Sequence, residues 1–305
     1  MGEIYEFAEM TFPELQALDR SRTLFLKALS PLEIHGPHLP LGTDVFIAEE
    51  VRDRALRRLR ERHPDFDMVI MPSTYLGSDT IPGSVNVSGI ALNLLLKAEG
   101  NMLAGLGFKY LLLTDNHGGP RHQIAIAKAV RSLQRHCGFH LVAPFLSFYR
   151  KMIELTPELL AKTGTGPGST GDVADIHAGL NETSLMLASA NPRVRPTWHG
   201  LPATSISQKR LPALFLKGLG AAAGALGGRE LGRDLAYLGQ LLSWTTQPEM
   251  PTYIGDPSGA SAEAGERVLA AFCDEAVELT EEALTGRPPF AHPLGWTLRC
   301  AQPVL

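Results

Sequence analysis

The sequence predicts an α/β fold, a mainly parallel β-sheet sandwiched between α-helices. Three observations predict it. Strand-like and helix-like segments alternate in β-α-β-α-β-α-β order over the first half of the chain. The links between them are short, as in right-handed parallel crossovers. One strand segment, Lys109 to Thr114 (KYLLLT), is an unbroken apolar run, which marks a strand buried on both faces.

Each element has its own signal. Thr23 to Glu33 is a mostly apolar run that reads as a strand. Asp44 to His63 reads as a helix, because Ile47, Val51, Ala55 and Leu59 recur on one face. Asp67 to Met71 is a short strand, followed by a loop rich in Gly, Ser and Pro from Thr74 to Gly89. Ala91 to Leu106 is helical and stops at Gly107, a residue suited to the position after a helix end. After Lys109–Thr114, Gly118-Gly119-Pro120 turns the chain into a helix with Ile126, Val130, Leu133 and Cys137 on one face, and Pro120 fits its first turn. Leu141 to Leu146 reads as a further strand. Residues 160–175 read as a loop. The whole chain, 1–305, reads as one domain with a helical insertion at about residues 205–247.

Composition narrows the function classes. The chain has 305 residues, enough for a large core, and 44% apolar with 20% charged residues is ordinary for a globular protein. A net charge of −4 gives no electrostatic case for nucleic acid or an anionic membrane. The arginines at 52, 54, 57, 58, 60 and 62 are interleaved with Glu49, Glu50, Asp53 and Glu61, the pattern of a solvated helix face. Cys137, Cys273 and Cys300 are scattered and form neither a disulfide framework nor a thiolate zinc motif. The acidic N-terminus shows no signal peptide. Leu211 to Gly228 is too rich in Gly and carries Lys217, so it reads as a buried helix pair or subunit contact rather than a membrane span. A cytoplasmic protein is expected.

Three motifs carry chemistry. Glu33-Ile34-His35-Gly36-Pro37-His38-Leu39-Pro40-Leu41-Gly42-Thr43-Asp44 puts two carboxylates and an imidazole around a Gly/Pro turn. In a strand, residues two apart share a face, so Glu33 and His35 are expected to face one point, and the turn can return Asp44 to it. Glu, His and Asp are the mixed oxygen and nitrogen ligands of Zn²⁺, Mn²⁺ and Fe²⁺, and a carboxylate can bridge two ions. The second motif is Thr114-Asp115-Asn116-His117-Gly118-Gly119, whose glycines let the backbone approach an ion or substrate closely. The third is Asp175-Ile176-His177-Ala178-Gly179-Leu180-Asn181-Glu182-Thr183-Ser184, where a helix starting near Gly179 would carry Glu182 in its first turns. Such folds bind ligands at the carboxyl ends of the strands, where His35 and His117 fall.

Together these motifs resemble the creatininase family of metal-dependent amidohydrolases. The family shows a Glu-Gln-His-Gly-Pro-His-Leu-Pro-Leu-Gly-Thr-Asp run, an Asn-Gly-His-Gly-Gly-Asn turn and a His-Ala-Gly…Glu-Thr-Ser segment. Ile81-Pro82-Gly83-Ser84, Ile254-Gly255-Asp256-Pro257 and the segment Ala260 to Gly265 add weaker likenesses, so the resemblance runs in order from about residue 20 to 275. It implies a two-metal site of Glu33, His35, Asp44, His117 and Glu182, holding two divalent ions of Zn, Mn or Fe per chain. Asp44 would bridge the ions, Glu33 and His117 completing one and His35 and Glu182 the other. His177 would be the catalytic proton shuttle beside a metal-bridged hydroxide. The implied reaction is hydrolysis of a non-peptide C–N bond in a small molecule, an amide, cyclic amide or formamide. The implied assembly is a homo-oligomer, a hexamer. Alternatives are action on an imine, urea or short peptide, or a non-catalytic scaffold of the same fold. Asn116 replaces the family's Gly, and Pro120 its closing Asn, so any hydrogen bond from that Asn side chain is missing.

The remaining polar residues read more blandly. His38 is expected to hydrogen-bond within its own turn. His63, His122, His136 and His140 read as surface positions, and Asp256 with Ser258 as a turn or cap. Ser84 lacks a nucleophile-elbow context. Residues 164–171 are no phosphate loop, since no Gly-Lys-Ser/Thr follows.

Overall fold

The structure, a computed structural model, describes residues 2–172, 174–189, 192–206, 211–247 and 249–287. These residues form two compact units. The first comprises residues 2–33, 41–148 and 266–287, and the second comprises the described parts of 34–40 and 149–265. Cys300 and residues 207–210 of the expected insertion lie outside the described residues.

The first unit holds a five-stranded, wholly parallel sheet in the order β1-β3-β2-β4-β5. The strands are β1 (Ile4–Glu6), β2 (Thr23–Ala28), β3 (Asp67–Ile70), β4 (Tyr110–Thr114) and β5 (His140–Val142). Every residue of β2 and β4 is buried, as strands covered on both faces require. In register, Leu24 pairs with Tyr110 and Ala28 with Thr114, which brings the ends of these two strands level. Crossover helices α2 (Thr43–Arg62), α3 (Gly89–Gly105) and α4 (Pro120–Cys137) follow β2, β3 and β4, while α1 (Phe12–Ala17) precedes β2. Ile47, Val51, Ala55 and Leu59 are all buried on α2, matching the expected face. Ser88 caps α3 by accepting the Ala91 N–H, and Gly138 ends α4 with φ of 65°. Phe25 in the core meets Phe108 edge-on, with ring centroids 4.9 Å apart.

Three differences from the sequence reading have clear causes. β2 ends at Ala28, not at Glu33, because Pro31 has no N–H to extend the ladder. Glu33 and His35 therefore lie in irregular chain, and the alternation of a strand does not aim them. The segment read as a strand through Leu146 is β5 followed by α5 (Phe145–Glu154), which Pro144 helps to start. β1 carries too few residues to show a period. The arginines of α2 are more than a solvated face. Arg54 pairs with Glu266, Arg58 with Asp274 and Arg62 with Glu281, all on α10 (Ala262–Leu284).

The second unit is built from α6 (Pro157–Thr163), α7 (Leu180–Ala188), α8 (Leu211–Ala225) and α9 (Arg229–Thr245). α8 and α9 fall in the region read as a helical insertion. They touch backbone to backbone at Gly220 and Gly232, where a Cβ on either would come within 2.6 Å of the other's carbonyl oxygen. Among the described residues no helix is long and apolar enough to cross a membrane.

Candidate metal centre

In the first unit, three sequence-predicted residues converge just beyond the carboxyl ends of β2 and β4. Glu33 follows β2, Asp44 sits in the first turn of α2, and His117 follows β4. All three are buried. The helix N-terminus favours a carboxylate at Asp44. Each residue is held by one atom and offers the other. Glu33 Oε1 accepts the Ile81 N–H at 2.7 Å. Asp44 Oδ1 accepts the side-chain amide of Asn116 at 3.1 Å. His117 Nε2 lies 3.1 Å from the Ser78 carbonyl. That leaves Glu33 Oε2 and Asp44 Oδ2 at 2.9 and 3.6 Å from His117 Nδ1.

The electrostatics of this trio call for a cation. A carbonyl can only accept, so Nε2 of His117 carries the ring hydrogen. Nδ1 then faces two carboxylates and needs either a second proton or a metal ion between itself and them. Burial alone would push the His117 imidazolium down, but Glu33 and Asp44 outweigh it and hold its pKa well above the usual histidine range. Two carboxylate oxygens and an imidazole nitrogen within 4.8 Å of one another form a donor set that suits Zn²⁺, Mn²⁺ or Fe²⁺. A histidine that ligates through one nitrogen commonly donates the other N–H to a backbone carbonyl, as His117 does to Ser78. Gly119 permits this packing: a Cβ there would stand 2.5 Å from His117 Nε2. Pro120, where the family has Asn, takes the start of α4.

The second unit gathers His35, His38, His177 and Glu182. The turn at Gly36 has φ of 64°, open to glycine without strain, and its N–H donates to Thr252 at 2.8 Å. His35 Nε2 is 3.6 Å from Glu182 Oε2. Glu182 lies in the first turn of α7, and the Ala178 N–H donates to it at 2.6 Å. The His177 ring lies 4.4 Å from that of His35 and 5.0 Å from that of Trp244. His177 Nε2 donates to the Ile34 carbonyl at 2.7 Å, so the ring carries its hydrogen on Nε2. His38 does not bond within its own turn. Its Nε2 meets Thr183 Oγ1 on α7 at 2.8 Å, and burial, with His35 and His177 adding repulsion, pushes its pKa down to about 4.

Gly179 of the third motif and Gly255 of Ile254-Gly255-Asp256 share one cause. Asp175 is buried and accepts the N–H groups of Leu180 and Asn181, capping α7. A Cβ at Gly179 or Gly255 would come within 1.9 or 2.1 Å of Asp175 Oδ1. Burial pushes the Asp175 carboxyl up to about 8, the two amides opposing that shift and Glu182 and Asp172 adding to it.

Several participants escaped the sequence reading. His122, read as a surface position, is fully buried, and its ring stands edge-on to His117 at 5.0 Å. Ser78 lies in a loop with no local signal, and Trp244 is a single aromatic on a helix. Only the position of Asp115 two residues before His117 could have flagged it.

Comparison with known proteins agrees with this architecture. The family model for creatinine amidohydrolase (creatininase) matches residues 8–280. The mycofactocin precursor peptide peptidase of Mycolicibacterium smegmatis is 27% identical over 251 residues, covering 81% of this chain and 80% of that protein. Its namesake from Mycobacterium ulcerans is 26% identical over 259 residues, covering 82% and 81%. Among solved structures, creatinine amidohydrolase (creatininase) superposes with a TM-score of 0.62 at 20% identity, over 92% of this chain and 97% of that one. A manganese creatininase gives 0.61 at 20% identity over 92% and 98%, and a mutant of the Zn-Zn type 0.62 at 19% over the same shares. With its five-stranded parallel sheet and flanking helices, the chain belongs to the creatininase family of hydrolases.

Proposed function

We propose that this protein is a binuclear metal-dependent amidohydrolase that cleaves a C–N bond of a small amide, cyclic amide or formamide. The observation that carries the reading is the convergence of Glu33 Oε2, Asp44 Oδ2 and His117 Nδ1, each backed by a hydrogen bond to its other polar atom. Glu33, Asp44 and His117 would hold one divalent ion. Asp44 would be shared with a second, held with His35 and Glu182, and only Ile34 separates Glu33 from His35 in the chain. When bound, such ions polarise a carbonyl and ease the ionisation of a water. His177 carries the proton to the leaving nitrogen through Nδ1, its Nε2 hydrogen being committed to Ile34. Trp244 against the His177 ring limits its access to water. A non-catalytic scaffold fits poorly, because buried carboxylates without cations carry a large desolvation cost.

A second reading has its own support. The named curated relatives are peptidases of a precursor peptide, at higher identity than the creatininase structures. A short peptide is therefore the competing substrate class. Elemental analysis of protein purified without chelator tests the centre, with about two divalent ions per chain expected. A panel of cyclic amides, formamides and short peptides, assayed on the metal-loaded protein, separates the substrate classes. Absence of metal, with no thermal stabilisation on adding Zn²⁺, Mn²⁺ or Fe²⁺, rejects the reading.

A further inference from the structure

Behind His117, within the first unit, lies a buried polar chain. His122 Nδ1 faces the Ser78 N–H at 3.2 Å, and because an N–H can only donate, Nδ1 is the acceptor. His122 Nε2 therefore carries the hydrogen, which it donates to Asp115 Oδ2 at 3.1 Å. The carbonyl of the same Ser78 receives His117 Nε2–H at 3.1 Å. Asp115 is the hub. Its Oδ2 also accepts from Gln123 Nε2 at 3.1 Å, and its Oδ1 accepts from Ser30 Oγ at 2.7 Å and from the His117 backbone N–H at 3.0 Å. Gln123 in turn donates to the His117 carbonyl. Asp115, His122, Gln123 and Ser30 are all buried, so no solvent substitutes for these bonds.

We infer that Asp115 and His122 are positioning residues: through Ser78 they fix the tautomer and aim of His117. The direction of every hydrogen bond in the chain follows from one fixed end, the Ser78 peptide groups. The Ser78 N–H sets His122 Nδ1 as acceptor, His122 is thereby obliged to donate to a carboxylate, and Asp115 supplies it. The Ser78 carbonyl, held in place, then keeps the hydrogen on His117 Nε2 and turns Nδ1 to the carboxylates. An amide at 115 has one oxygen for two pairs of donors, so its NH₂ would face the donors of one pair and break the chain. The inference rests on the proposed metal centre, since a ligand's aim matters only if it ligates.

The test uses the full chain and Zn²⁺ as the probe. His122→Phe removes both ring bonds, Asp115→Asn breaks the hub, and His122→Asn keeps an acceptor for the Ser78 N–H. Zinc affinity is measured by chelator competition. In parallel, NMR of the metal-free protein follows the His117 Nε2 proton, which the Ser78 bond makes slow to exchange. Leu133→Ala, in the core of the same helix, controls for general destabilisation. Expected are a loss of zinc affinity of about 10–100-fold in His122→Phe and Asp115→Asn, partial recovery in His122→Asn, and wild-type affinity in Leu133→Ala. The slow proton should vanish with the affinity. Wild-type zinc affinity and a retained slow proton in His122→Phe overturn the inference. If the unmutated protein takes up no zinc, the proposed function falls instead, and the His117 proton alone decides whether the chain positions the ring.

Discussion

Asn116 donates its side-chain amide to Oδ1 of Asp44 at 3.1 Å, which leaves Oδ2 as the oxygen turned to His117. The residue that departs from the family's glycine thus supports the carboxylate proposed to serve both ions. A side chain at 116 has a role here that a glycine could not fill, that of holding the Asp44 carboxylate.

The bridging role proposed for Asp44 has a direct consequence. On that proposal Asp44→Asn would remove one charged oxygen from both ions, whereas Glu182→Gln would weaken only the ion proposed for His35. Elemental analysis after exhaustive dialysis should find Asp44→Asn close to metal-free and Glu182→Gln retaining about one ion per chain. Two ions retained by Asp44→Asn would show that it is no bridge.

The fold was legible in the sequence where burial writes a long pattern. Ile47, Val51, Ala55 and Leu59 specified α2 and its buried face, and the run ending in Thr114 specified a central strand. The candidate ligands stood out through their spacing around Gly and Pro. What was not legible depends on contacts distant in sequence. Nothing local says that His122 bonds Ser78 and Asp115, because an imidazole on a helix is surface or core according to what packs on it. The end of β2 was missed because apolar residues continue past Pro31, while the ladder needs N–H groups that Pro31 lacks. The cap role of Asp175 also stayed hidden, since its glycines at 179 and 255 lie far apart in the chain.

That cap yields a stability prediction. Gly255→Ala incurs two costs, a Cβ 2.1 Å from Asp175 Oδ1 and a backbone at φ of 126° that alanine rarely adopts. Gly179→Ala incurs only the clash, its φ being −93°. Strain of this kind costs about 1–3 kcal/mol before any clash is counted. Thermal unfolding should place Gly255→Ala several degrees below the parent. Because part of the Gly179→Ala clash is against the same carboxylate, Asp175→Ala should relieve that part in a double variant, while the Ile254 carbonyl oxygen, 2.6 Å from the Cβ, remains. A Gly255→Ala protein with the parent melting temperature would refute the packing account.

His38 gives the pH dependence. Its pKa is about 4 in the folded protein against an ordinary value near 6.5, so the unfolded chain binds the extra proton first as pH falls. Stability from this group is complete above about pH 6.5 and is lost as pH falls through the window from there towards 4. His38→Gln can keep a polar atom for Thr183 and cannot titrate. Urea midpoints across pH 4 to 7 should therefore fall less steeply in His38→Gln than in the parent. Equal slopes would remove His38 from the acid sensitivity of the fold.

The last prediction separates the proton carrier from the ligands. His177 is fixed by its own backbone, whose carbonyl accepts the Ile254 N–H at 2.7 Å, and by Nε2 on Ile34. Those bonds orient the ring with its hydrogen on Nε2, an arrangement that a metal-ligating histidine shares, so metal content and turnover have to be read together. His177→Ala should keep the metal content of the parent while losing about 10²–10⁴-fold in kcat on whichever amide or peptide the panel identifies. His177→Gln should do no better, since an amide can replace the Ile34 bond but cannot carry a proton. A solvent isotope effect and an acid limb in the pH–rate profile are expected in the parent and should change in the two variants alike. A drop in metal content on losing this ring would make His177 a ligand, and parental turnover in His177→Gln would make it structural.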